Sequence, residues 1–222
     1  MTPPTGHRRP ESDRLLAAYL GAASGDFPPA DATLTLLPAP PGPARAAIFA
    51  TTRHHIVAAD LTPSWLNGML ADSLAAPMSP AFLAAVEQET DLHADSVDVV
   101  LAADALDGVA ALQEVGDVDH PRLRRAQRSR TDVRVFRTDS ALVVLGRGAA
   151  GRLEIAIETD PAARGRGTAR RALMSARQLV EPGEPIFAQV APGNAAALRA
   201  FLAAGFRPIG GEVLFFAHIV GD

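Results

Sequence analysis

Apolar residues recur at helical spacing at Leu15, Leu16, Tyr19 and Leu20, which predicts a helix over 11–23. Two strand-like runs, 46–51 and 55–60, predict a hairpin. Thr62-Pro63 and Ser79-Pro80 each put a capping hydroxyl before a first-turn proline. The helix begun at Pro63 carries Trp65, Leu66 and Leu70, and the one begun at Pro80 runs to about Thr90. The β-branched run 97–102 predicts a short buried strand. No internal repeat is present.

The C-terminal half is more regular. Residues 120–130 predict a basic helix, and 133–137 and 141–146 predict strands around the turn-prone Asp139-Ser140. Leu153, Ile155 and Ile157 alternate with Glu154, Ala156 and Glu158, so 152–159 is a two-faced strand. A helix over 167–180 ends before Pro182-Gly183, and 185–190 is a strand. Asn194 caps a helix to Ala204, which Gly205 ends. Residues 206–220 predict two strands around Gly210-Gly211. Residues 38–43 are a Pro/Gly loop, and the first ten residues are expected to be mobile.

Composition narrows the chemistry. The chain has 222 residues, 48% hydrophobic, which is one large domain or two small ones with a real core. There is no cysteine, which excludes thiolate catalysis, iron–sulfur clusters and Cys-ligated zinc. All 21 Lys+Arg residues are arginine, which excludes Schiff-base lysines and the P-loop lysine. The plainer reading of that bias is a GC-rich genome. The net charge of −4 is uneven. Residues 1–119 hold 5 Arg against 16 acidic residues, and 120–177 hold 14 Arg against 5. A basic block in an acidic chain suits an anionic ligand, or merely a solvated face. The acidic first half and few aromatics argue against a nucleic-acid partner.

Two glycine motifs compete. Gly146-Arg147-Gly148-Ala149-Ala150-Gly151 is a formal GxGxxG, but a strand follows it where a dinucleotide site needs a helix. A hairpin turn is expected there. The second runs from Arg164 through Gly165, Arg166, Gly167 and Thr168 to Ala169, R-x-x-G-x-A between a strand and a helix. Its glycines let successive N–H groups converge on one anion at the helix start, with Arg164 and Arg166 adding charge. A ligand-free soft turn is the plain alternative. The six histidines show no H-x-x-x-H pair, and no G-x-S-x-G elbow occurs, so neither a metal site nor a serine hydrolase is expected.

This second motif resembles the acetyl-CoA loop of the GCN5-related N-acetyltransferase (GNAT) family. The next family motif matches too: a strand at Ala188-Gln189-Val190, a helix opened by Asn194, then Phe201 and Gly205-Phe206. The resemblance covers about 120–217. It implies an α/β fold with a mixed, mostly antiparallel central sheet flanked by helices. The implied units are an N-terminal α/β extension, 1–95, on the acceptor side, and an acetyl-CoA-binding domain, 96–222. The core lacks its first strand unless 97–102 supplies it.

The resemblance implies acetyl transfer to a primary amine of a small molecule or peptide, by direct attack on the thioester. Acetyl-CoA would lie where the strands 152–159 and 185–190 splay, against Ile157, Thr159, Arg164, Gly165, Arg166, Gly167, Thr168, Ala169, Asn194 and Phe201. An amine of pKa near 10 needs a proton acceptor, for which Glu154 and Glu158 on one strand face are the candidates, with Glu212 more distant. A solvent-facing carboxylate row is their plain alternative. Asn194 could equally be only a helix cap. Phe201 stands where the family often has a proton-donating tyrosine, which leaves a non-catalytic acyl-CoA-binding module as the second reading. An interaction protein with an empty loop is the third. The long final strands could pair two copies as a homodimer. Arg8-Arg9 before a short apolar run has the order of a twin-arginine leader, but Glu11 and Asp13 intrude. With no membrane-length apolar run, a cytoplasmic protein without a membrane partner is expected.

Overall fold

A computed structural model describes residues 13–70, 77–116 and 118–218. The Arg8-Arg9 segment and the mobile start expected over 1–10 lie outside them. Helix α1 (Asp13–Ser24) precedes β1 (Thr33–Leu37) and the hairpin β2 (Ala46–Thr51) and β3 (His54–Ala58). Helices α2 (Pro63–Leu70) and α3 (Pro80–Thr90) follow, the latter with Ser79 accepting from Phe82 N–H at 3.2 Å. Then come β4 (Leu92–Ala94), β5 (Asp98–Asp104) and β6 (Gln113–Val115). Helix α4 (Pro121–Ser129) leads to β7 (Thr131–Thr138), β8 (Ala141–Arg147) and β9 (Leu153–Thr159). Helix α5 (Thr168–Arg177), β10 (Pro185–Val190), α6 (Ala195–Ala203) and β11 (Arg207–Ala217) complete the chain.

The strands form one sheet in the order β1-β3-β2-β11-β5-β10-β9-β8-β7-β6, with β4 beside β11. Among the described residues only β1–β3 and β9–β10 are parallel, so the sheet is mixed and mostly antiparallel. Alternation along each strand assigns the helices to faces. Phe49, Val100, Ala102 and Phe187 pack with Leu15 and Tyr19 of α1. Val144 and Leu142 pack with Leu123 of α4 on that same face. Leu101, Ile155, Ile186 and Ala188 point the other way, to Leu173 of α5 and Phe201 of α6. Ile48, Val57 and Phe215 meet Phe82 and Leu66 of α3 and α2.

Two expectations are corrected. The segment 206–220 is one strand, not two, within the described residues. Gly210 marks a register shift, and a Cβ there would run into Ala50 O and come within 2.8 Å of the Phe49 ring. The glycine answers a close approach to β2, not a turn. Strand β11 lies inside the sheet, hydrogen-bonded on one side to β2 and on the other to β5 and β4. The strand at 97–102 is not the first strand of the C-terminal core. It lies mid-sheet between β10 and β11, while β6 forms the edge before α4.

The outer strand β1 is pinned by one histidine. Buried His54 makes hydrogen bonds through Nδ1 to Asp31 Oδ1 at 3.0 Å and through Nε2 to Thr35 Oγ1 at 3.0 Å. The GxGxxG segment joins antiparallel β8 and β9, with a short 3₁₀ turn over Ala149–Gly151. No described helix is long and apolar enough to cross a membrane.

Candidate functional site

Strands β9 and β10 share a single registered pair, Phe187↔Glu154. Beyond it they part, and a cleft of about 450 Å³ opens between them. Alternation along β9 gives the cleft two sides. Ile155 and Ile157 face Asn194 at the start of α6 and Ala197 and Phe201 within it, while Glu154, Ala156 and Glu158 face Arg122 of α4 and Arg130 just past its end. The sequence-predicted Glu154, Ile157, Glu158, Asn194 and Phe201 therefore come together. Thr159 lies in a second pocket of about 360 Å³ that shares Glu158 with the first.

Register extends a polar row across the floor. Glu212 pairs with Asp98, Val100 with Gln189, and Phe187 with Glu154, each pair on the face that carries α1 and α4. Arg152, fully buried, ties that row together. Its Nε donates to Glu154 Oε1 at 2.9 Å, and its two terminal nitrogens donate to Glu212 at 2.8 and 2.5 Å. Gln189 Nε2 donates to both carboxylates, at 3.0 and 2.9 Å. Arg130 Nε donates to the second oxygen of Glu154 at 2.8 Å. The Arg152 guanidinium lies 4.1 Å from the Tyr19 ring centre. Two guanidiniums thus balance two carboxylates, and their attraction offsets the cost of taking these charges out of water.

These contacts change the standing of Glu154. Alternation alone allowed a solvent-facing row, but only 2% of Glu154 is exposed. Burial pushes its carboxyl up, and Arg152 and Arg130 outweigh that, leaving it below the usual carboxylate range. A carboxylate held this firmly is a weak proton acceptor. Glu158 is partly exposed and bound to Arg122 Nε at 3.0 Å. The glycine before Glu154 matters as well. A Cβ on Gly148 would overlap the Glu154 carboxylate, and Ala149 N–H donates to it at 3.2 Å.

The arginine–glycine loop lies past the end of β9, after the 3₁₀ turn Pro161–Ala163. Gly165 and Gly167 have φ of 73° and 74°, a region costly for other residues, and Gly167 opens α5 without a side-chain cap. Thr168 Oγ1 turns back to Ala163 O at 3.1 Å, and Arg171 donates to Arg166 O at 3.0 Å. Among the described residues no acceptor takes the backbone N–H groups of Gly165 to Arg170. Arg164 and Arg166 are exposed without carboxylate partners among the described residues, whereas Arg122, Arg125, Arg130, Arg134, Arg147 and Arg152 are all paired. Half of the 14 arginines of the central basic block are paired with carboxylates, and Arg164 and Arg166 of this loop are among those that are not. Open N–H groups, positive-φ glycines and unpaired guanidiniums fit a pyrophosphate such as that of coenzyme A.

Asn194 is a helix cap, accepting from Ala197 N–H at 3.1 Å, while also lining the cleft. Phe201 packs edge-on to Phe206, with ring centres 4.9 Å apart.

The chain is similar to solved acetyltransferases of the GNAT family. One, from Kribbella flavida, is 15% identical over 95% of this chain and 96% of its own, with a TM-score of 0.40. One from Colwellia psychrerythraea is 13% identical over 93% and 96%, at 0.40. A GNAT-family protein from Novosphingobium aromaticivorans is 20% identical over 58% and 68%, at 0.39. No family model matches the sequence, and no curated protein matches it.

Sequence reasoning missed Arg130, Gln189, Tyr19 and Asp98 as parts of the cleft and its floor. Arg152, two residues before Glu154 on the alternating segment, was the one local hint. The others come from distant segments and meet only through strand register.

Proposed function

We propose that the protein is an acetyl-CoA-dependent N-acetyltransferase acting on a primary amine of a small molecule or peptide. The observation that carries this reading is the parting of parallel β9 and β10 after one shared pair. Unpaired backbone groups there can take an extended pantetheine arm as an added strand. Ile157 and Thr159 on β9 would flank that arm, and the Arg164–Ala169 loop would hold the pyrophosphate. Phe201 and Asn194 would border the thioester end. The N-terminal residues 1–95 would serve the acceptor side, since Asp95 lines the cleft opposite α6. The reaction needs neither lysine nor cysteine from the protein. It needs a thioester held in place, a neutral amine and a proton acceptor.

Coenzyme A should raise the melting temperature, and acetyl-CoA should release free thiol when a suitable amine is added. Binding without thiol release across a broad amine panel favours the second reading, an acyl-CoA-binding module. Phe201 favours that module, because its ring offers no proton to a leaving thiolate. A coenzyme A thiol is nevertheless acidic enough to leave unassisted.

A further inference from the structure

Five carboxylates line the cleft: Asp95, Asp98, Glu154, Glu158 and Glu212. Four are already neutralised. Asp95 is bound by Arg125 at 2.8 Å, Glu158 by Arg122 at 3.0 Å, Glu154 by Arg130 at 2.8 Å and Glu212 by Arg152 at 2.5 Å. Asp98 has no arginine partner among the described residues. It is half-buried at the start of β5, next to the Val99↔Val190 pair and so beside the end of β10. Its register partner is Glu212, which fixes its face as the one carrying α4 and the polar row. A half-buried carboxylate without a cation, inside a cleft whose other charges cancel, leaves room for one cation from outside.

We propose that Asp98 receives the ammonium group of the acceptor and takes its proton, a role that rests on the acetyl-transfer reading of the cleft. One proton passes from nitrogen to the Asp98 carboxylate, leaving a neutral amine and a carboxylic acid. The nitrogen lone pair then forms a bond to the thioester carbonyl carbon, and the carbon–sulfur bond breaks with its electron pair on sulfur. The second proton lost by nitrogen neutralises the thiolate. The products are an amide and a free thiol.

The surroundings suit the task. Burial raises the Asp98 carboxyl to about 6. The Ser96 hydroxyl draws it down, Glu212 on β11 and Asp95 push it up, and Arg125 on α4 opposes them. A base near 6 is closer to an amine near 10 than an ordinary aspartate near 4, yet it remains mostly ionised at pH 7. The pairing of the other four carboxylates also sets a preference. The acceptor should present one ammonium group to this cleft wall rather than several.

The test uses full-length protein, wild type with Asp98→Asn and Asp98→Glu. The amines are butylamine, phenethylamine, putrescine and a lysine-containing peptide. Coenzyme A-induced thermal shift is measured on all three proteins, and thiol release as a function of pH. Wild type should show an acid limb in kcat/KM with a midpoint near 6. Asp98→Asn should lose roughly 100-fold in kcat/KM and that limb, while keeping the coenzyme A shift. Asp98→Glu should keep a limb and part of the rate, and it carries the test if the asparagine variant folds poorly. An asparagine variant with wild-type kcat/KM and an unchanged acid limb overturns the proposal. Absence of any wild-type coenzyme A shift overturns the underlying acetyl-transfer reading instead. A shift without turnover of any amine overturns the role of Asp98 and supports the binding module.

Discussion

The Tyr19 hydroxyl donates a 2.8 Å hydrogen bond to Glu212 Oε2, joining α1 to the last strand across 193 positions of sequence. The bond is buried, and Glu212 in turn holds Arg152 beneath the cleft. The first helix is thus fastened to the floor of the candidate site by a polar contact as well as by packing.

Burial raises the Tyr19 phenol well above its ordinary value, and the Glu212 charge raises it further. A phenol whose folded value lies above its unfolded one loses no proton in the native state near pH 10. Its stabilising contribution is fully present below pH 10 and is lost as pH rises toward the folded value. The chain has a single tyrosine, so ultraviolet absorbance near 295 nm reports it alone. No phenolate signal should develop up to about pH 10.5, and its onset should coincide with loss of helical circular dichroism. Tyr19→Phe should cost about 1–2 kcal/mol in urea unfolding, because Glu212 keeps Arg152 and Gln189. A native protein that titrates normally near 10 would contradict this account of the contact.

Gly148 shows why a motif can be real and its usual meaning wrong. The strand after the GxGxxG was legible in the alternation of 153–158, so sequence alone favoured a hairpin turn over a dinucleotide site. The purpose of the glycine was not legible, because the Glu154 carboxylate returns to it from six residues on only once β9 is placed in the sheet. The same limit explains β4 and β6, strands of 3 residues each and too short to show a period, whereas β1 alternates Thr33-Leu34-Thr35-Leu36 and did carry a local signal that went unread. It also explains Asp98, whose importance lies in what its neighbours pair with. Elements with local signals, such as the proline-initiated helices and Asn194, were readable to within a few residues.

Gly148→Ala should therefore destabilise the fold by about 1–3 kcal/mol, since the added methyl displaces a carboxylate bound by two arginines. Gly151→Ala is the useful comparison. A Cβ there meets nothing within 4 Å, so its cost is the φ of 79° alone, and it should be smaller. Equal urea midpoints for the two variants would remove the steric explanation.

The outer edge should respond to acid through Asp31. The Thr33 hydroxyl, the His54 ring and the Thr33 N–H hold its carboxyl down to about 2. A depressed carboxylate contributes stability that is present above its unfolded value near 4 and is lost as pH falls toward 2. Asp31→Asn should be less stable than wild type at pH 5, and the gap should close between about pH 4 and 2. Amide exchange should localise the difference to β1 and β3. A gap independent of pH would show that the amide keeps the same contacts.

The loop at the start of α5 gives a prediction that separates binding from stability. Arg164 and Arg166 are exposed, without carboxylate partners among the described residues, so replacing both with alanine removes no native ion pair seen there. The melting temperature without ligand should stay within about 1 °C of wild type, as expected for surface changes. Coenzyme A affinity, read by calorimetry, should fall by about tenfold or more, because charge-assisted contacts to a pyrophosphate are lost. The loss should shrink as salt is raised, since exposed charges are screened beyond about 10 Å at 0.1 M. Dephospho-coenzyme A keeps the pyrophosphate and lacks the ribose phosphate, so it should suffer nearly the same loss if the loop grips the pyrophosphate. A penalty confined to intact coenzyme A would move the two arginines to the ribose phosphate and leave the backbone N–H groups of Gly165 to Arg170 as the pyrophosphate cradle.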